Sequence, residues 1–415
     1  MFKITLKKLF VVNMYMALSL SAYAERNPKL PEPYATESVQ KQSSVIGWTE
    51  GQTPTAAKGF QVQEFTSLEK PRSMLVLPSG NILVAQASKS PEDSGESSPN
   101  QISLLKIKDG ALTSTTVFAK DLNLPFGMAI WKDQFFVAEP ERVLVFPYIN
   151  ESVTGPGKVI AALPFPKPQR HWTRHLLMKP DGSKLYISVG SVSNVGESPD
   201  PLDSRNAAIL EMNLDGSQQK IYASGLRNPV SMAWEPTAKV LWTVVNERDE
   251  LGDDLVPDYI TPLHDGDFYG WPYAYWGKNA DPRLKGAHPE LVQKSLTPYY
   301  SVGAHAAALG IEFTKGTKLL PPFNNGALIT KHGSWNRSKL AGYNVSYVAF
   351  YNGKPIGIEI DFLTGFIHDE PTSQVYGRPV ASVVLPDGSV LVSDDGGGKI
   401  WRVSPESQQK IVIRK

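Results

Sequence analysis

The 415-residue chain contains no cysteine. That absence excludes disulfides, thiolate zinc sites, iron–sulfur clusters and a thioether lipid anchor, so the core alone must hold the fold together. Charge of one sign is missing as well. The 42 Lys and Arg against 41 Asp and Glu leave +1, which argues against nucleic acid as a partner, since phosphates demand a basic face. The apolar run LFVVNMYMALSLS is too short to span a bilayer. With 41% hydrophobic residues the chain has ample material for a core.

What is present begins with a leader. Lys3, Lys7 and Lys8 precede that apolar run, and Ala22-Tyr23-Ala24 supplies a small-x-small cleavage signal. Residues 1–24 therefore read as a signal peptide cut after Ala24, which predicts a periplasmic or secreted protein. Loss of the three lysines takes the formal charge from +1 to −2. Residues 25–55, rich in Pro, Ser and Gln and without periodicity, read as an extended lead-in.

From residue 56 onward the chain repeats one design. SMLVLPSGNILVAQA (73–87), GMAIWKDQFFVAEPERVLVFPY (127–148) and HLLMKPDGSKLYISVGS (175–191) each give a strand, a tight turn and a second strand. So do SMAWEPTAKVLWTVVNE (231–247), LGIEFTKGTKLLPPFNNGALITKHG (309–333) and ASVVLPDGSVLVSDDGGGKIWRVS (381–404). Six copies without an amphipathic helix between them predict an all-β, six-bladed β-propeller over 56–415, because radial closure leaves only short edges.

Polar groups cluster just outside these strands. RHWTRH (170–175) offers His171 as a general base on a loop entering a strand. GLRNP (225–229) offers Arg227 and Asn228, a fork of donors beside an amide, suited to carboxylate or carbonyl groups. KHGSWNR (331–337) and YGRP (376–379) add Lys331, Trp335, Arg337 and Arg378 at equivalent positions, and cations converging on one channel mouth call for an anionic ligand. NERDELGDDLVPD (246–258) packs six carboxylates into thirteen positions. It fails the EF-hand template, whose third position from Asp249 would be Leu251, and stands open between a metal site and a solvated loop. The aromatics of DGDFYGWPYAYWG (265–277) are expected to line a rim or pocket.

Taken together, GLRNPVSMAWEP, the block NERDELGDDLVPDYITPLHDGDFYGWPYAYWG, KHGSWNRS, DFLTGF and YGRPV resemble the sorbosone-dehydrogenase branch of the soluble quinoprotein sugar dehydrogenases, relatives of soluble glucose dehydrogenase. The resemblance runs from about residue 60 to the C-terminus. It implies pyrroloquinoline quinone (PQQ), which carries three carboxylates, with Ca2+ beside its ortho-quinone. It further implies oxidation of a sugar or related alcohol or aldehyde, with electrons passing to a soluble quinone, dye or cytochrome. By the same resemblance His171 is the general base, Arg227 and Asn228 contact the quinone, Arg378 meets a cofactor carboxylate, and one of Lys331, Trp335 or Arg337 supplies a further contact. Calcium falls to main-chain carbonyls at about Glu247 and Arg248. One departure stands out: Ser191 occupies the position where the glucose enzymes carry an aspartate that orients the base. Two rival readings are a lactonase-like propeller hydrolase with a carboxylate-held calcium and a ligand-binding propeller without chemistry.

Overall fold

The computed structural model describes residues 28–88, 98–166, 171–196 and 203–406; the expected leader, residues 1–24, lies outside them. Nearly all regular structure is β-strand, and helix among the described residues is confined to Pro282–Leu284 and Pro289–Lys294. No helix among them is long and apolar enough to cross a membrane.

The repeated turns explain the repeated strands. In Leu77-Pro-Ser-Gly80, Lys179-Pro-Asp-Gly182 and Leu385-Pro-Asp-Gly388 the glycine N–H donates to the first residue's carbonyl, at 2.8, 2.8 and 2.9 Å. All three glycines have φ between 71° and 90°, a conformation that L side chains resist. Each turn reverses the chain into an antiparallel pair, and each pair founds one sheet.

Among the described residues six sheets contain such pairs. The first comprises Pro71–Val76, Ile82–Gln86, Gln101–Lys108 and Ala111–Ala119, and the second is built on Met128–Trp131, Gln134–Glu139, Arg142–Ile149 and Lys158–Ala162. Leu176–Met178, Leu185–Val189, Ala208–Met212 and Lys220–Ser224 make the third; Asn228–Trp234, Leu241–Asn246, Pro257–Leu263 and Tyr300–Ala304 make the fourth. The fifth contains Ala308–Phe313, Gly326–Lys331, Asn344–Tyr351 and Lys354–Thr364. Pro379–Val384, Val390–Asp394 and Lys399–Pro405 form the sixth, whose outer strand, Phe60–Ser67, comes from the other end of the chain. The first strand of each sheet touches those of the sheets before and after it, and the sixth returns to the first. The architecture is propeller-type.

Second-strand hydroxyls stitch neighbouring sheets together. Ser393 Oγ accepts from Ala381 N at 3.1 Å in its own sheet and donates to Arg72 O at 2.7 Å in the next. Ser188 Oγ repeats the pattern with His175 N at 2.9 Å and Val230 O at 3.3 Å. Thr330 Oγ1 reaches Ser382 Oγ at 3.1 Å across the same kind of boundary. Several of these contacts lie where a register shift (Pro229/Ser231, Pro379/Ala381) takes inner-strand groups out of the ladder, so the hydroxyls satisfy what the bulge would orphan.

The six inner strands surround a central cavity of about 460 Å³, lined by apolar side chains together with Ser73, His175, Ser231, Glu312 and Ser382. Burial lifts the Glu312 carboxyl to about 7 and depresses His175 to about 4. The unfolded chain releases the Glu312 proton near its ordinary value of 4.5, whereas the folded state holds it to about 7. Stability from this group is therefore complete below pH 4.5 and is lost as pH rises through 7. Glu312→Gln is expected to raise stability at pH 8 and to change little near pH 4.5, as paired urea melts at the two pH values would show.

Candidate active site

A second cavity, of about 420 Å³, opens where the inner strands begin. Its wall takes Arg72, His171–Thr173, Asn228 and Arg378 from the starts of first strands or the loops entering them. Ser88, Asn246, His332 and Asp395 come from the ends of second strands. In an antiparallel pair those positions share one end, so the fold gathers these groups at a single mouth.

His171 is held from several sides. Its Nδ1 lies 2.8 Å from the Ser191 carbonyl and 3.2 Å from Ser191 Oγ. A carbonyl only accepts, so Nδ1 carries the hydrogen and the basic lone pair is on Nε2. Ser191 N donates in turn to Arg227 O at 2.7 Å. Beneath the loop the fully buried Arg174 guanidinium donates to the carbonyls of His171, Thr173 and Pro164, each at 2.9 Å. Gly190 is required here: a Cβ would stand 2.5 Å from both Asn228 Oδ1 and His171 Cβ. Ser191 thus orients the imidazole chiefly through its backbone carbonyl.

The opposite wall is cationic. Arg72 pairs with Asp395, lies 5.1 Å over the Trp172 ring and leaves Nε without a partner among the described residues. Arg378 donates to His332 O at 3.2 Å and Gly333 O at 2.9 Å. His332 Nε2 sits 2.8 Å from Asp395 Oδ1. Burial and the charge of Arg378 push His332 down to about 4, and although burial alone would raise Asp395, His332 and Arg72 hold it well below the usual carboxylate range. Asn228 Oδ1 is a further buried atom without a partner. Arg72, His332 and Asp395 escaped the sequence reading, although Pro71-Arg72 enters the first sheet much as Arg378-Pro379 enters the sixth.

Of the residues singled out from sequence, His171, Asn228, Trp335 and Arg378 meet on this wall. Three expected cofactor contacts do not. Arg227 is buried against Asp249 Oδ2 at 2.5 Å, and only its main chain reaches Ser191. Lys331 is buried in an ion pair with Glu359. Arg337 binds Asp254 Oδ1 at 2.7 Å and Asp253 O at 2.8 Å. In each case a carboxylate distant in sequence has taken the charge.

The acidic stretch proves to be a framework. Arg248, wholly buried, bonds Glu247 Oε2 at 2.8 Å and Asp281 Oδ2 at 2.9 Å between the rings of Trp271 and Tyr275. Asp258 accepts from Glu247 N at 2.8 Å and Ala308 N at 3.2 Å, and burial raises it to about 6. Asp249 also faces His305 Nδ1 at 3.4 Å. Burial opposes protonation of His305, but its Asp249 contact prevails and its pKa is raised. Among the described residues no three His, Cys, Asp or Glu are grouped to hold a metal. The side chains of Glu247 and Arg248 point into this network, so they offer a metal at most their carbonyls. In the aromatic run, Trp271 and Tyr273 line a separate cleft of about 260 Å³, while Tyr275 and Trp276 pack in the core with Leu251 and Tyr259.

Residues 54–258 and 290–406 match the family model described as TrAA12-like. The calcium structure of the Trichoderma reesei carbohydrate-active enzyme of family AA12 superposes with a TM-score of 0.72 at 20% identity, covering 89% of this chain and 99% of that one. The holo form of the pyranose dehydrogenase PQQ domain from Coprinopsis cinerea gives 0.71 at 19% identity, covering 88% and 100%. The aldose sugar dehydrogenase YliI of Escherichia coli K12 is 32% identical over 142 residues, 33% of this chain and 34% of that one.

Because Arg248 neutralises two buried carboxylates, Arg248→Met is expected to cost roughly 3–5 kcal/mol of stability. Chemical denaturation measures it, and a change below about 1 kcal/mol would show the framework to be dispensable.

Proposed function

Since the chain belongs to the TrAA12-like family, among the soluble quinoprotein sugar dehydrogenases, we propose that it is a six-bladed propeller (residues 56–415) that oxidises a sugar or related alcohol or aldehyde with PQQ. The observation that carries this reading is His171, its Nδ1 fixed by a carbonyl, lining one cavity with Arg72 and Arg378. The donor set suits a polycarboxylate quinone. Two guanidinium groups lie in the wall, and Arg72 Nε and Asn228 Oδ1 are buried polar atoms lacking a partner among the described residues. Arg72, Arg378 and Asn228 would hold the cofactor, with Trp335 beside it. Calcium would sit on the carbonyl oxygens of Glu247 and Arg248.

When bound, the quinone supplies a two-electron acceptor for the hydride leaving the substrate carbon. His171 Nε2 removes the substrate hydroxyl proton. The Ser191 carbonyl keeps the ring aimed and favours the imidazolium that results, a weaker form of the service a carboxylate gives. Arg378, tied to two carbonyls, presents its charge without having to reorganise. With the leader removed, the enzyme would act in the periplasm and pass electrons to a soluble quinone, dye or cytochrome.

The test is reconstitution of the purified protein with PQQ and Ca2+, followed by a panel of aldoses with a redox dye. Dye reduction is expected, and its absence across a broad panel would overturn the proposal. His171→Gln should lower kcat by roughly 10²–10⁴-fold while leaving the cofactor titration unchanged. Arg378→Ala should instead weaken that titration by roughly tenfold or more, as expected for loss of a charge-assisted contact.

A further inference from the structure

The segment preceding the ring packs along the mouth of the cavity. Tyr34 N donates to Leu251 O at 2.8 Å, and Thr36 Oγ1 and Ser38 Oγ accept from Asp253 N and Gly252 N at 2.8 and 3.2 Å. Further on, Val39 O accepts from Asn336 Nδ2 at 3.1 Å and Lys41 N donates to Trp335 O at 2.7 Å. Ser44–Val45 then pairs in parallel with Gln374–Val375. Trp48 ends the run, its Nε1 donating to Asp394 Oδ2 at 2.7 Å while its ring stacks on Tyr376. The strap therefore passes from the acidic stretch of the fourth sheet, across the fifth, to the sixth, fixed at each stage.

One of its residues enters the site. Val45 lines the same cavity as His171 and Trp335, and the residue as a whole is 39% exposed. The parallel pairing uses the N–H groups of Ser44 and Ile46, so the N–H and C=O of Val45 face the other edge of the strand. An aliphatic side chain beside an indole, with Leu309 in the same wall, suits the C–H face of a pyranose ring better than an anion. The cations of the same wall are Lys70, Arg72 and Arg378.

We propose that Val45 is a specificity-determining residue: the strap holds it against the sugar, where its bulk sets which ring substituents the cavity admits. The proposal rests on the sugar-oxidising reading above. It adds a segment outside the repeating sheets to the substrate wall.

The experiment compares wild type with Val45→Trp, Val45→Ala and the isosteric Val45→Thr, each loaded with PQQ and Ca2+. Sugar affinity is read by calorimetry and turnover by dye reduction, using a monosaccharide and a disaccharide. Val45→Trp should raise KM and the calorimetric Kd by roughly tenfold or more, with kcat and the cofactor titration unchanged. Val45→Ala should shift the kcat/KM ratio toward the disaccharide by roughly threefold or more, and Val45→Thr should keep the wild-type ratio. Parallel changes for both sugars, or a changed cofactor titration, would overturn the assignment. Wild-type protein that binds sugar without reducing dye would sink the dehydrogenase reading and leave the Kd comparison to decide on Val45. Failure to bind any sugar would sink both.

Discussion

Closure of the ring is the constraint on which everything else depends. Without cysteine, the six sheets are held in a circle by the pairing of Phe60–Ser67 with Lys399–Pro405 and by apolar contacts between sheets. Around that seam Phe60, Phe323, Phe362 and Trp401 form a buried aromatic cluster, with edge-to-face contacts such as Phe60 to Phe362 at 5.5 Å. The hydroxyl of Ser393, bonded to its own sheet and the next, stands at the same boundary. Apart from Val45 of the strap, the wall residues of the mouth cavity are placed by this circle. Arg72 and Arg378, 306 positions apart in the chain, face one cavity because the first and last sheets meet.

The acidic stretch illustrates how a charge-rich loop can serve geometry. Its carboxylates bind Arg227, Arg248, Arg337 and His305, and its backbone receives the strap. Such pairs stabilise little relative to an apolar core of equal volume, but each is directional. They fix the loop that joins the strap to the Arg227-Asn228 corner behind His171.

The fold was largely legible because its signals are local. A Pro-Asp-Gly turn between alternating strands needs nothing beyond a few neighbours, and the six repeats coincide with the inner strand pairs of the six sheets. That His171, Asn228 and Arg378 share one mouth was legible for the same reason, since each sits at the entry to an inner strand. Arg227, Lys331 and Arg337 lie off the cavity wall because each pairs with a carboxylate 22, 28 or 83 positions away, beyond the reach of motif spacing. Arg72 was passed over because its carboxylate is 323 positions distant. The lead-in carried no periodicity at all, and its role emerges only from the surface it covers.

The outermost strand of the sixth sheet has a consequence in time. Phe60–Ser67 is among the first segments made and Lys399–Pro405 among the last, so the circle stays open until nearly the whole chain is available. Contacts of such sequence separation form late and slowly. Arg72 and Arg378 stand on either side of that last boundary, so the wall they share is completed only when the circle shuts.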